Sequence, residues 1–144
     1  MIPDPTSAGI RPNPVGDWPE IDPTAFVDPS AQIMGHVHIG AGAYVGPMTV
    51  IRADEVGEDG EVQPVIIEHD VFIQDGVIIH ARGGSIVRIG SKSNIAHGVI
   101  IHGPCEIGSR AFVALRASIY NSVLEDDVWV GLGAIIMRAT VPTM

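Results

Sequence analysis

A chain of 144 residues with 46% apolar content can bury one core, and its length suits a single domain. Its 8 Lys and Arg against 17 Asp and Glu leave a net charge of −9 without any basic run, which excludes nucleic acid and an anionic membrane surface as expected partners. A single cysteine, Cys105, excludes a disulfide framework and a cysteine zinc cluster, and with neither a membrane-length apolar run nor a signal-peptide pattern in Met1 to Asn13, a cytoplasmic protein is expected.

In chain order, residues 1–20 read as an extended arm and residues 21–144 as one repetitive domain. Aliphatic residues recur six apart at Ile21, Val27, Ile33, Ile39, Val45 and Ile51. The series resumes at Ile67, Ile73 and Ile79, continues from Ile89 through Ile95, Ile101, Ile107 and Val113 to Ile119, and closes with Leu124, Val130 and Ile136. Four places after most of them stands a second, smaller residue that the pattern points inward, as at Ala31, Ala43, Val77, Ser93, Cys105, Ala117, Val123 and Thr140. A period of six matches neither a helix nor a long strand. It fits a short strand plus a corner, three of which close a triangular coil, and coils that cannot bury an apolar face alone must stack at roughly 4.8 Å each. The expected fold is all-β: a single-stranded left-handed parallel β-helix of hexapeptide repeats, roughly six coils long, with no helical pattern before Met144. An ordinary sandwich of short strands would not hold one phase so long.

The interruptions mark corners where loops are extruded. An acidic insertion runs from Glu55 to Pro64, a smaller one carries Arg82, Gly83 and Gly84, and one residue is missing between Ile119 and Leu124.

Every third hexad lies on one face. The hexads beginning at Ile51, Ile79, Ile101 and Ile119 therefore stack Arg52, His80, His102 and Tyr120 in an outward ladder, while those beginning at Ile73 and Ile95 stack Asp75 beneath His97. His97 and His102 are five residues apart in extended chain, roughly 16 Å, too far to share an ion whose ligand nitrogens must approach within about 2.1 Å. If the three imidazoles act together, His97 must come from a neighbouring copy, which a three-sided prism around a three-fold axis allows. The same arrangement sets Arg52 near Asp75 of the next subunit as an interface ion pair. Three neutral imidazoles with an open fourth position make a catalytic rather than a structural zinc site, one that supplies hydroxide at neutral pH. Gln74, beside Asp75, is placed to orient that hydroxide.

The segments MTVIRADE (48–55), VFIQDGVIIHA (71–81) and SNIAHGVIIHGPCEIG (93–108) closely resemble the gamma-class carbonic anhydrases, as does ALRASIYNSV (114–123). The resemblance runs from about Pro19 to the end of the chain. It implies reversible hydration of carbon dioxide to bicarbonate at three-histidine sites between the subunits of a homotrimer, with Zn2+ bound, or Fe2+ or Co2+. Carried over, the ligands are His80, His97 and His102; Gln74 holds the reactive water, Arg52 and Asp75 form the interface pair, and Glu55 helps remove the proton. Two features depart from that pattern: the second glutamate of a long loop after the first ligand histidine, and the long C-terminal helix.

Plainer readings exist for each residue. The histidines can be unrelated surface residues, Arg52 and Asp75 separate solvated charges, Gln74 a surface amide, and Glu55 part of a solvated acidic loop with Glu58, Asp59 and Glu61. Tyr120 reads as a pocket wall, Cys105 as core, and His36, His38 and His69 as structural. Two other functions share the fold: a hexapeptide-repeat acyltransferase with a histidine base and a long coenzyme A cleft, and a metal-binding gamma-carbonic-anhydrase-like protein without activity.

Overall fold

The computed structural model describes residues 9–143. These form twenty short strands, with no helix among the described residues, paired throughout in parallel into sheets of seven, seven and six strands. Each strand pairs with the strand three further along the chain, so the sheets are the three walls of a left-handed parallel β-helix of about seven coils, near the length expected from the repeat. Short parallel strands stack this way because each coil leaves its backbone donors and acceptors to the coils above and below.

The first wall, the histidine face, stacks the strands Ile10–Arg11, Gln32–Gly35, Val50–Ala53, Ile78–His80, Ile100–His102, Ser118–Tyr120 and Ile135–Met137. The residues expected to form an arm thus supply a strand to the first coil, at Ile10–Arg11, whose register joins Ile10 to Ile33. The third wall bears Phe26, Tyr44, Phe72, Asn94, Phe112 and Trp129 in register along its outer side, with the Tyr44 and Phe72 rings stacked at 4.3 Å.

The interior is the hexad series. Ile33, Ile51, Ile73, Ile79, Ile95, Ile101 and Ile119 are fully buried, while Ile21, Val27 and Ile136, in the end coils, are only partly covered. The smaller inward positions are buried as well, including Ala31, Val77, Ser93, Cys105 and Ala117. Two are not. Val123 and Thr140 lie outward, paired with each other and aligned with outward Glu106. The corner after Ile119 is a residue shorter, so Ser122 takes the inner place. Its hydroxyl donates to the Tyr120 carbonyl at 2.8 Å and accepts from the Ala139 amide at 3.1 Å, which makes a polar residue tolerable there.

Gly35 is fixed by its corner. Its φ is +83°, and a Cβ there would sit 2.0 Å from the Ala53 carbonyl oxygen. Gly35→Ala therefore combines an unfavourable backbone region with a backbone clash, and is expected to lower stability by about 2–3 kcal/mol in urea denaturation. An unchanged midpoint would show that this corner relaxes freely.

Candidate metal centre

The parallel register of the histidine face decides what its outward side chains meet. His80 is aligned with Arg52 below and His102 above, and His102 with Tyr120. The His80 and His102 rings lie 5.0 Å apart between centroids, edge to face, and Tyr120 stands 5.3 Å from His102, tilted by 32°. At the opposite edge of this wall, the corner after Ile73 carries Gln74 and Asp75, and the corner after Ile95 carries His97. The Gly98 amide donates to the Asp75 carbonyl at 3.1 Å, which stacks the two corners. Among the described residues no three histidine, cysteine or carboxylate side chains of one chain converge on a common point.

The ring nitrogens are sorted by their partners. His97 Nδ1 is hydrogen-bonded to the Asp75 carboxylate, and His102 Nδ1 donates to the Gly103 carbonyl at 3.1 Å. In both, Nδ1 is the nitrogen engaged, and a carboxylate or carbonyl on one ring nitrogen is the contact that orients a ligand histidine at metal sites, leaving Nε2 for the ion. His80 Nε2 is buried and has no aligned hydrogen-bond partner. The Glu55 carboxylate comes within 3.2 Å of it but off the direction a hydrogen bond needs. A buried ring nitrogen without a hydrogen bond is costly in a finished structure unless another group is meant to take it.

Burial also holds the His80 pKa below the usual histidine value, because the imidazolium loses solvation; the nearby Arg52 guanidinium and His102 act in the same direction, against Glu55 and Asp54. The side chain is thus kept neutral, the form that binds a metal. In chelator-treated protein the unfolded chain binds a proton on His80 below pH 6.5 while the folded chain resists it. Stability should therefore fall as pH drops through 6.5 toward the depressed folded value, and be unaffected by this group above 6.5. Urea midpoints measured between about pH 5 and 7.5 should slope less in His80→Gln than in the parent; identical slopes would refute the assignment.

Glu55 is brought to the site more firmly than the sequence suggested, by its neighbours. The acidic insertion is pinned by Val62, which is buried, and by the Val62 carbonyl accepting from His36 Nδ1 at 2.7 Å. The smaller insertion packs on it one coil above: a Cβ on Gly83 would lie 2.9 Å from the Val56 oxygen and 3.2 Å from Glu55 Oε1. Gly83 is the residue this contact needs, and nothing in its local sequence announced it.

Arg52 is occupied within its own chain. Its Nε donates to Asp54 Oδ1 at 2.9 Å and its Nη2 to Asp54 Oδ2 at 3.3 Å, a partner the sequence reading missed although it lies two residues away. Gln74 is anchored by its backbone, its amide donating to the Ile95 carbonyl at 2.9 Å and its own carbonyl accepting from Thr49 at 2.8 Å. Cys105 is buried, its thiol directed at the His102 carbonyl at 3.1 Å. His38 pairs with Glu20 at 3.0 Å and His69 with Asp70 at 3.0 Å, away from this ladder. Three imidazoles, one with an orphaned nitrogen, have the donor chemistry that suits a borderline divalent ion such as zinc, iron or cobalt.

Comparison with known proteins finds the same repeat and fold in several others. Residues 19–53 match the family model for bacterial transferase hexapeptide (six repeats). The chain is 31% identical to a carbonic anhydrase of Methanosarcina thermophila over 94% of its own length and 62% of that protein's. It is 37% identical to the carnitine operon protein CaiE of Escherichia coli over 82% of its length, spanning 54% of that chain. Among solved structures, a hexapeptide transferase family protein from Anaplasma phagocytophilum superimposes with a TM-score of 0.68 at 25% identity, over 94% of this chain and 81% of the other. No helix of the described residues is long and apolar enough to cross a membrane.

Proposed function

We propose that this left-handed β-helix of hexapeptide repeats, which resembles the gamma-class carbonic anhydrases, is a metal-dependent carbonic anhydrase working as a homotrimer. One observation carries the reading: two aligned histidines on one edge of a wall, with a third, His97, held by a carboxylate on the opposite edge of the same wall. Each edge is an incomplete ligand set, and a second copy completes both. Ile78 and Ile100, two residues before the ligand histidines on the same strands, are 42% and 44% exposed, an apolar stripe suited to burial between subunits.

In this reading His80 and His102 of one subunit and His97 of the next hold the ion. A divalent ion in such a site acts as a Lewis acid that makes hydroxide available near neutral pH. Gln74 reaches the site from the same edge as His97, and its amide orients the attacking water. Tyr120 closes the pocket above His102 and keeps a small, partly apolar space for carbon dioxide. Hydration releases one proton with each bicarbonate, and Glu55, beside His80 Nε2 and half-exposed, accepts that proton and returns it to solvent. Asp75 holds His97 through Nδ1, and in the trimer the Arg52 donors not used by Asp54 face Asp75 of the neighbour.

The acyltransferase reading requires a histidine base in an open cleft; the groove lined by Arg82, Arg88 and Arg138 has no histidine among its lining residues. Elemental analysis combined with stopped-flow hydration of carbon dioxide, on protein purified with and without air, separates the readings. About one ion per chain with hydration activity is expected. An ion without activity would favour the inactive relative, and a metal-free trimer the acyltransferase.

A further inference from the structure

A groove of about 780 Å³ runs along the corner beyond the histidine face, across the outer side of the neighbouring wall. It uses none of the residues assigned to the metal centre. Its charge is opposite to that of the molecule. Arg82, Arg88 and Arg138 line it, three of the chain's eight Lys and Arg residues, with Glu106 the one lining carboxylate.

The arginines are not equivalent. Arg88 is tied to Glu68, its Nη1 donating to Oε1 at 2.9 Å. Arg82 and Arg138 make no ion pair and no side-chain hydrogen bond among the described residues, and both are exposed. Arg82 follows the strand Ile78–His80 and Arg138 follows Ile135–Met137, three strand steps up the stack. Their backbones are thus about 14 Å apart, at opposite ends of one groove. Between them the lining is partly apolar, with Ile86 and Val123 exposed at 44% and 38%.

Free guanidinium groups at both ends and aliphatic surface between them describe the ligand. Each planar fork takes two oxygens of a phosphate, and a short apolar linker covers Ile86 and Val123. We infer that this groove binds an elongated organic bisphosphate, one phosphate on Arg82 and the other on Arg138. Glu106 opposes a continuous run of negative charge through the middle and so favours two separated anionic ends over one polyphosphate chain.

Calorimetric titration of the intact protein with hexane-1,6-diyl bisphosphate tests this, with hexyl phosphate as comparator at equal ionic strength. The bisphosphate should bind at least about tenfold more tightly, since it engages both ends. Arg82→Gln and Arg138→Asn should each reduce its affinity to that of hexyl phosphate. Asparagine suits position 138 because φ there is +53°, a region it tolerates, so the fold is preserved. Arg110→Gln, whose parent arginine pairs with Asp127 at 2.8 Å outside the groove, should leave binding unchanged. Binding should also persist in His97→Ala, which separates the groove from the metal centre. Equal affinity for the two probes, unaltered binding in both arginine variants, or loss in His97→Ala would overturn the assignment.

Discussion

Replacing His97 with alanine is expected to reduce bound metal from about one ion per chain to nearly none, and carbon dioxide hydration by more than about 100-fold. The size follows from the ligand set. Two imidazoles from His80 and His102 remain, with the Glu55 carboxylate beside His80, and a site built for three fixed nitrogens loses both affinity and the geometry of its open position. A stronger form of the experiment tests where His97 comes from. His97→Ala and His102→Ala should each be inactive alone. Mixed as unfolded chains and refolded together, they should recover about a quarter of the parental sites, because that fraction of random interfaces pairs an intact His97 with an intact His80 and His102. Both readouts, metal content and hydration, should rise together. No recovery in trimers proven to be mixed would mean that the three histidines do not meet between subunits.

Ile101→Ala should cost about 2–5 kcal/mol in equilibrium denaturation. Ile101 is fully buried and stacked between Ile79 and Ile119 in the middle of the coil column. Alanine there leaves a cavity that the coils above and below cannot collapse into, because their hydrogen-bond ladders fix the spacing between them. The neighbouring His102 sits on the same three-residue strand, so metal affinity should fall as well. Ile136→Ala, in the incompletely covered last coil, should cost distinctly less. Equal losses at the two positions would show that the column unfolds without regard to depth of burial. A solenoid is held by nearest-neighbour contacts, so a defect in the centre weakens two interfaces and one at the end only one.

The sequence by itself determined the period, and the period determined the architecture. Isoleucine every sixth residue can be buried only if the chain turns three corners per coil, and parallel stacking then aligns His80 with His102 without further information. Asp75 beneath His97 was legible for the same reason. The tertiary structure alone decided what those side chains do with the atoms left over. The contact of Asp75 with His97 Nδ1, the claim of Asp54 on Arg52, and the approach of Glu55 to an unpartnered His80 nitrogen depend on rotamers and on two loops packing together, and no repeat encodes these. Where the repeat lost one residue after Ile119, the sequence pattern put Val123 inside, while hydrogen bonding seated Ser122 there instead. A repeat fixes which residues share a face because the hydrogen-bond ladder has one spacing; which atoms meet on that face is set by side-chain torsions and loops, which follow no period.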